Sequence, residues 1–303
     1  MIDGRIKLRH IACFLEVAAR GGFGRAAEAL HLTQPAVSRA IGELEETLGV
    51  TLFERGRSGA VLTPQGETFR AHAGAARAAL RRGLDLVAQA RSGAGTVVAV
   101  GVLPTVATGL MPRAVAGAKA DGLAATIRVE SGPNDWLLGR LREGRLDLVV
   151  GRLAAAEAMR GLAFEHLYSE EIVAVARPGH PLATGRTIGL AELAPFTLLL
   201  PTAGSIIRPE VDRLFLAEGV ARDGDVIETV APSFGRAYTR GSDAVWIISR
   251  GVVAEDLGEE TLVRLPLSGL LPGGPVGLTT RAGSPVAGAV EALARAIRRA
   301  ADG

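Results

Sequence analysis

The chain has 303 residues, 48% of them hydrophobic and 22% charged, which allows two or three packed units and excludes wholesale disorder. The formal charge of +2 hides a division: residues 1–92 carry 13 basic against 9 acidic side chains, the remainder 21 against 23, so a basic module precedes a near-neutral body. The single cysteine, Cys13, excludes an intrachain disulfide, and with no leader pattern and no apolar run of about 18 residues the expectation is a soluble, cytoplasmic protein with no membrane partner.

Taken in order, residues 1–9 are a polar, basic lead-in from which Lys7 and Arg9 can approach a nucleic-acid backbone. A helix is expected over 8–19, with Ile11, Phe14, Leu15 and Ala18 inward and Cys13 a buried thiol among them. A second short helix, 24–30, is followed by a tight turn and a third helix. Thr33 is its cap, and Pro35 lies in its first turn, where a missing N–H is tolerated. Val37, Ile41, Leu44 and Leu48 form one apolar face, which leaves Gln34, Ala36, Ser38, Arg39 and Glu43 towards solvent. Such a helix start suits a major groove: Arg can bridge guanine O6 and N7, Gln can pair with adenine, and free backbone N–H groups suit a phosphate. An ordinary helical hairpin with a solvated face has the same spacing.

Residues 51–64 are expected to hold a wing, with Arg55 and Arg57 on an exposed turn around Gly56, either touching phosphate or the minor groove or simply solvated. Thr63 then caps a long helix from Pro64 to about residue 90. Phe69, Ala73, Ala76, Leu80 and Val87 keep close to a seven-residue spacing, with Leu84 beside them, and such a seam can pair two long helices. Gly74 and Gly83 weaken it as a free helix, so packing must hold it.

Composition changes at residues 91–95, a hinge. Strands are then expected at 96–102, 125–130 and 146–150, with helices between them, the β-α-β-α-β order of a parallel sheet. A strand at 168–176 opens a second lobe, and further strands at 196–200, 225–228, 244–249, 262–266 and 276–280 alternate with helices at 208–218, 232–240 and 285–299. In such sheets a ligand lies outside the carboxyl ends of the strands. Three stretches qualify: Pro104, Thr105 and Val106 after Leu103; Thr202, Gly204 and Ser205 around Ala203; and Arg152 after the third strand. The first two set hydroxyls and free N–H groups at helix starts, which favour anions, while Arg152, Arg208 and Arg236 could clamp carboxylates. Phe234 and Tyr238 could shape a wall. These hydroxyls could equally be plain helix caps and the arginines surface charge.

His10, His31, His72, His166 and His180 are too scattered for a metal site, and His180 reads as part of a structural turn, 177–182. Ser38 and Ser205 lack a His–Asp arrangement, and no phosphate-loop lysine pattern exists, so neither an enzyme nor a cofactor is expected. A free solute-binding module would account for two lobes but not for residues 1–90.

The pattern Ala26-Ala27, Leu30-His31-Leu32-Thr33-Gln34-Pro35-Ala36-Val37-Ser38, Ile41, Leu44-Glu45, Leu48-Gly49-Val50, Leu52-Phe53-Glu54-Arg55 and Leu62-Thr63-Pro64 resembles the winged helix-turn-helix of LysR-type bacterial transcriptional regulators. Segments 147–153 and 164–170, with the long basic opening, resemble more closely the PcaQ-type members, which control protocatechuate degradation operons. The helix-2 start, Gly22-Phe23-Gly24, departs from the bulkier or more basic residues frequent there. The resemblance implies an α/β fold class with a winged helix-turn-helix domain over 1–63, a linker and dimerisation helix over 64–92, and an effector domain over 93–303 like small periplasmic binding proteins. Its lobe 1 would be about 95–164 and 267–303, its lobe 2 about 165–266. It implies double-stranded promoter DNA as partner, contacted by Arg9, Thr33 to Ala36, Ser38, Arg39, Arg55 and Arg57. It also implies a homodimer assembling to a homotetramer, a possible contact with RNA polymerase, and an activator answering a small carboxylate such as β-carboxy-cis,cis-muconate. A repressor, or a regulator of another pathway answering a sugar or another organic acid, is the alternative.

Overall fold

A computed structural model describes all residues except 1–3, 57–58, 93–95, 221–223, 270–272, 284–285, 287 and 303. Three helices open the chain: α1 (Leu8–Arg20), α2 (Phe23–Leu30) and α3 (Gln34–Leu48). Gly21 ends α1 and Gly49 ends α3, both with left-handed backbone, while His31 takes that role after α2. The Thr33 hydroxyl accepts the Ala36 N–H at 3.4 Å, so the expected cap is present. The hairpin β1 (Phe53–Gly56) and β2 (Gly59–Leu62) is the wing. Glu45 anchors it by accepting the N–H groups of Leu52 and Phe53. Phe14 centres this head, its ring 5.2 Å from Phe53 and 5.0 Å from Phe69.

Phe69 belongs to the long helix α4 (Pro64–Ser92), capped by the Thr63 hydroxyl on the Gly66 N–H. The expected seam divides here. Phe69 and Ala73 turn into the core of the head, and Ala76, Leu80, Leu84 and Val87 remain exposed. The other face of α4 lies on the body. A Cβ on Gly74 would stand 1.6 Å from the Arg142 carbonyl oxygen, so only glycine allows this approach.

The body follows as β3 (Thr96–Val102), α5 (Pro104–Ala107), α6 (Leu110–Ala120), β4 (Ala125–Ser131), α7 (Asn134–Arg142), β5 (Leu148–Arg152), β6 (Leu162–Glu170) and β7 (Ile172–Ala176). It continues with β8 (Leu198–Leu200), α8 (Arg208–Ala217), β9 (Val226–Glu228), α9 (Pro232–Arg240), β10 (Val245–Ser249) and α10 (Ala254–Gly258). It ends with β11 (Val263–Leu265), β12 (Gly274–Arg281) and α11 (Gly288–Asp302). One sheet has the order β4-β3-β5-β12-β6, the other β11-β7-β10-β8-β9. β3 pairs parallel with β4 and β5, as the β-α-β-α-β pattern requires. Alternate residues of β3 feed two cores: Val98, Val100 and Val102 pack with α6 and α11, while Ala99 packs with α7. The second lobe centres on Trp246.

Several boundaries differ from the sequence reading; β5 runs through Arg152 instead of ending at Val150, so Arg152 stands on the end of the strand and not after it. The single strand expected over 168–176 is two strands in different sheets, so the chain first crosses between lobes at Glu171 rather than near 165. β6 begins at Leu162, but as an edge strand with a partly solvated face it lacks the continuous apolar run that marked the others. The helix expected after Leu103 is broken by a turn at Thr108 and Gly109 into α5 and α6. Among the described residues no helix is long and apolar enough to cross a membrane.

Candidate functional site

Two regions carry chemistry. On the head, the start of α3 is solvent-facing: Thr33, Gln34, Pro35, Ala36 and Arg39 are exposed and Ser38 half-buried, because Val37, Ile41 and Leu44 spend the opposite face in the core. Arg9 is exposed too, but its guanidinium lies 3.2 Å from Glu43. Buried His10 accepts the Lys7 N–H on Nδ1 and therefore donates from Nε2 to the same carboxylate, at 3.1 Å. These bonds, led by that from Arg9, pull the Glu43 carboxyl below its usual range. Arg55 lies on β1, where its backbone pairs with Ala60, and Arg57 lies outside the described residues.

In the body, a cavity of about 400 Å³ opens between the lobes. From lobe 1 come Leu103, Pro104 and Thr105, the turn Ser131 to Asn134 between β4 and α7, and Arg152. From lobe 2 come Thr202, Gly204, Ser205, Ile206 and Ile207 before α8, Pro232 at the start of α9, and Trp246, Ile248 and Ser249 on β10. The walls are largely aliphatic, and the starts of α7, α8 and α9 contribute to the lining. Thus Pro104, Thr105, Arg152, Thr202, Gly204 and Ser205 meet around one space.

The other candidates do not line it. Val106 is buried in lobe 1. Arg208 is tied to Asp212 and Glu228, each at 2.6 Å, and to the Pro201 carbonyl. Arg236 is spent on Asp256 at 2.7 Å and on the Val252 carbonyl. Phe234 is exposed and stacks on Tyr238. Sequence reasoning missed Ser131 to Asn134, although the rule of strand carboxyl ends points to that turn after β4. Trp246 was not separable from core, since it lies inside a continuous apolar run.

Among the described residues Arg152 is the one cation in the lining, and it is 5% exposed. Its Nε donates to Ser249 Oγ at 3.1 Å, and its Nη2 to the Glu170 carbonyl at 2.8 Å, which joins the two lobes. The Glu170 and Glu210 carboxylates each stand 3.8 Å away. Nη1 has no hydrogen-bond partner among the described residues, and neither has the indole N–H of Trp246. Behind Arg152, Glu170 accepts the Thr105 hydroxyl and the Gly251 N–H. Burial pushes Glu170 up to about 7 against the opposing pull of Arg152, and burial pushes Tyr168 up to about 12. Among the described residues no cluster of His, Cys, Asp or Glu could hold a metal ion.

Residues 8–67 match the family model for bacterial regulatory helix-turn-helix proteins of the lysR family, and residues 91–302 match that for the LysR substrate binding domain. The HTH-type transcriptional regulator PcaQ of Agrobacterium fabrum is 46% identical over 301 residues, covering 99% of this chain and 97% of that protein. The uncharacterized HTH-type transcriptional regulator YdcI of Escherichia coli is 36% identical over 299 residues, with the same coverage of 99% and 97%. Among solved structures, a full-length OxyR variant from Pseudomonas aeruginosa superposes with a TM-score of 0.63 at 25% identity, covering 96% of this chain and 94% of that one.

Proposed function

The chain is a DNA-binding transcriptional regulator of the LysR family, not an enzyme, and on that premise we propose that it activates an aromatic-acid catabolic operon in response to a small carboxylate held between its lobes. The head reads double-stranded promoter DNA through the start of α3, with Arg39 and Gln34 at base edges and the N–H groups near Thr33 at a phosphate. Arg55 and Arg57 of the wing add backbone contacts. The exposed stripe on α4 pairs two copies, effector domains join the pairs into a tetramer, and RNA polymerase is a further partner of the DNA-bound form. The working place is the cytoplasm.

One observation carries the ligand class: the cavity is lined by Arg152 and Trp246, whose buried Nη1 and indole N–H make no hydrogen bond among the described residues. Buried donors of this kind are satisfied by acceptor oxygens, and a carboxylate brings two. Relatedness to a PcaQ regulator supports β-carboxy-cis,cis-muconate as the first acid to try. Ligand acts only through its differential affinity for two arrangements of the lobes, and so of the heads.

The test has two arms. Genomic fragments are selected on the purified protein at physiological salt, and enrichment of promoter fragments is expected. Calorimetric titration with β-carboxy-cis,cis-muconate, cis,cis-muconate and benzoate is expected to give saturable binding. No enrichment over bulk DNA sinks the regulatory reading, and no heat with any of the three sinks the carboxylate reading.

A further inference from the structure

Glu170 does not line the cavity, yet it stands against the arginine that does. Its carboxylate is fixed in place. Oε1 accepts the Gly251 N–H at 2.9 Å and Oε2 accepts the Thr105 hydroxyl. A Cβ at Gly251 would stand 2.3 Å from that Oε1, so the backbone presses directly on it. The carboxylate cannot swing away from Arg152 without breaking both bonds.

The charges around it are few. Arg152 on β5 faces it at 3.8 Å and is shared with Glu210 of α8, also at 3.8 Å. Glu171 follows in the chain and Arg250 opens the next 3-10 turn, but these two pair with each other at 3.6 Å. Tyr168 lies two residues back on β6. At the cavity, then, one guanidinium already answers two carboxylates.

Resting on the carboxylate reading above, we propose that Glu170 makes ligand capture a proton-coupled event: an acid anion entering at Arg152 is bound together with one proton taken from solvent onto the Glu170 carboxylate. A third carboxylate at the same guanidinium is a like charge at close range, and like charges drive one member of such a set to its neutral form. Glu170 is the member that yields, because it is buried while Glu210 is partly solvated. Burial has already moved it near neutrality. The Thr105 hydroxyl serves both states, since it donates to the carboxylate and, after turning, accepts from the carboxylic acid. The balance is simple: one proton leaves the buffer, one O–H bond forms on Glu170, and the entering anion replaces the lost negative charge.

Calorimetry of the full chain with the same three acids, in phosphate and in Tris at pH 7.4, tests this. The observed heats are expected to differ between buffers by the uptake of about 0.7 proton, since a group titrating near 7 is already partly protonated at pH 7.4 in the free protein. Affinity is expected to weaken about tenfold from pH 6 to pH 8, because the anion favours the protonated site that solvent then empties. Glu170→Gln is expected to abolish both the pH slope and the buffer difference, whereas Glu210→Gln keeps them. Binding without proton uptake, or a pH slope that survives Glu170→Gln or vanishes in Glu210→Gln, overturns the proposal and leaves the carboxylate reading standing. If Glu170→Gln does not fold, the wild-type buffer difference decides. Should none of the three acids bind, the carboxylate reading itself fails and takes this inference with it.

Discussion

Arg39 and Arg152 are both arginines, and their surroundings give them different work. Arg39 is exposed on α3, the head's outward helix, where a guanidinium keeps its hydration until a groove or phosphate replaces it. Arg39→Ala is expected to weaken promoter binding by about 1–3 kcal/mol, read by gel shift, with carboxylate affinity unchanged by calorimetry. Loss of both, or of neither, would remove Arg39 from the reading helix. Arg152 is buried at the junction of the lobes and bonds Ser249 on one side and the Glu170 carbonyl on the other. Arg152→Ala is expected to lower the response to an acid at least tenfold, on the scale of a lost charge-assisted bond, while the unliganded protein still retards promoter DNA. An unchanged dose response would exclude it from the site.

At the scale of elements, α4 sets two glycines in opposite circumstances. Gly74 meets the Arg142 carbonyl oxygen, and Ala78, one turn on, is met by Gly144, whose Cβ would come within 2.4 Å of its own. Gly83 meets nothing within 4 Å. Helix propensity therefore governs one site and packing the other. Gly83→Ala is expected to raise stability by about 0.5–1 kcal/mol, seen as a higher thermal midpoint. Gly74→Val is expected to lower that midpoint and to lift α4 from lobe 1, increasing the radius of gyration in solution scattering. Equal effects from the two variants would refute this account of the helix. α7 shares in the contact: its start lines the cavity, and Arg142 at its end lies under α4.

In the whole molecule, head and body meet through charge. Glu16 of α1, nearly buried, lies 2.6 Å from Arg145, and Arg145 lies 3.1 Å from Glu143. Arg77 of α4 donates to the Glu143 carbonyl and Arg81 lies 3.3 Å from Asp147. With one face of α4 spent on the head and another on these contacts, the stripe of Leu80, Leu84 and Val87 is left without cover in the single chain. Leu84→Glu is expected to shift the protein from oligomer towards monomer in light scattering, since a carboxylate buried in such a seam would lack a partner. An unaltered mass would move the assembly surface elsewhere.

Much of this was legible in the residues themselves. Local chemistry settles local structure: a threonine before Gln34-Pro35 caps the helix they open, and a glycine after Leu48 ends it for want of a Cβ. The head, the long helix, and the alternation of strand and helix in the body all follow from such short-range signals, as did the cleft residues placed at strand ends. Facing between distant segments was decided only by the fold. Nothing near Arg208 or Arg236 in sequence announces that Glu228 and Asp256 hold them away from the cleft, and nothing near Phe69 says that it completes the core around Phe14. Glu170 gave no signal at all. Its carboxylate meets Arg152 and the Thr105 hydroxyl only because β5 and β6 flank β12 and α5 packs against β5, contacts 18 and 65 residues apart that no periodicity encodes.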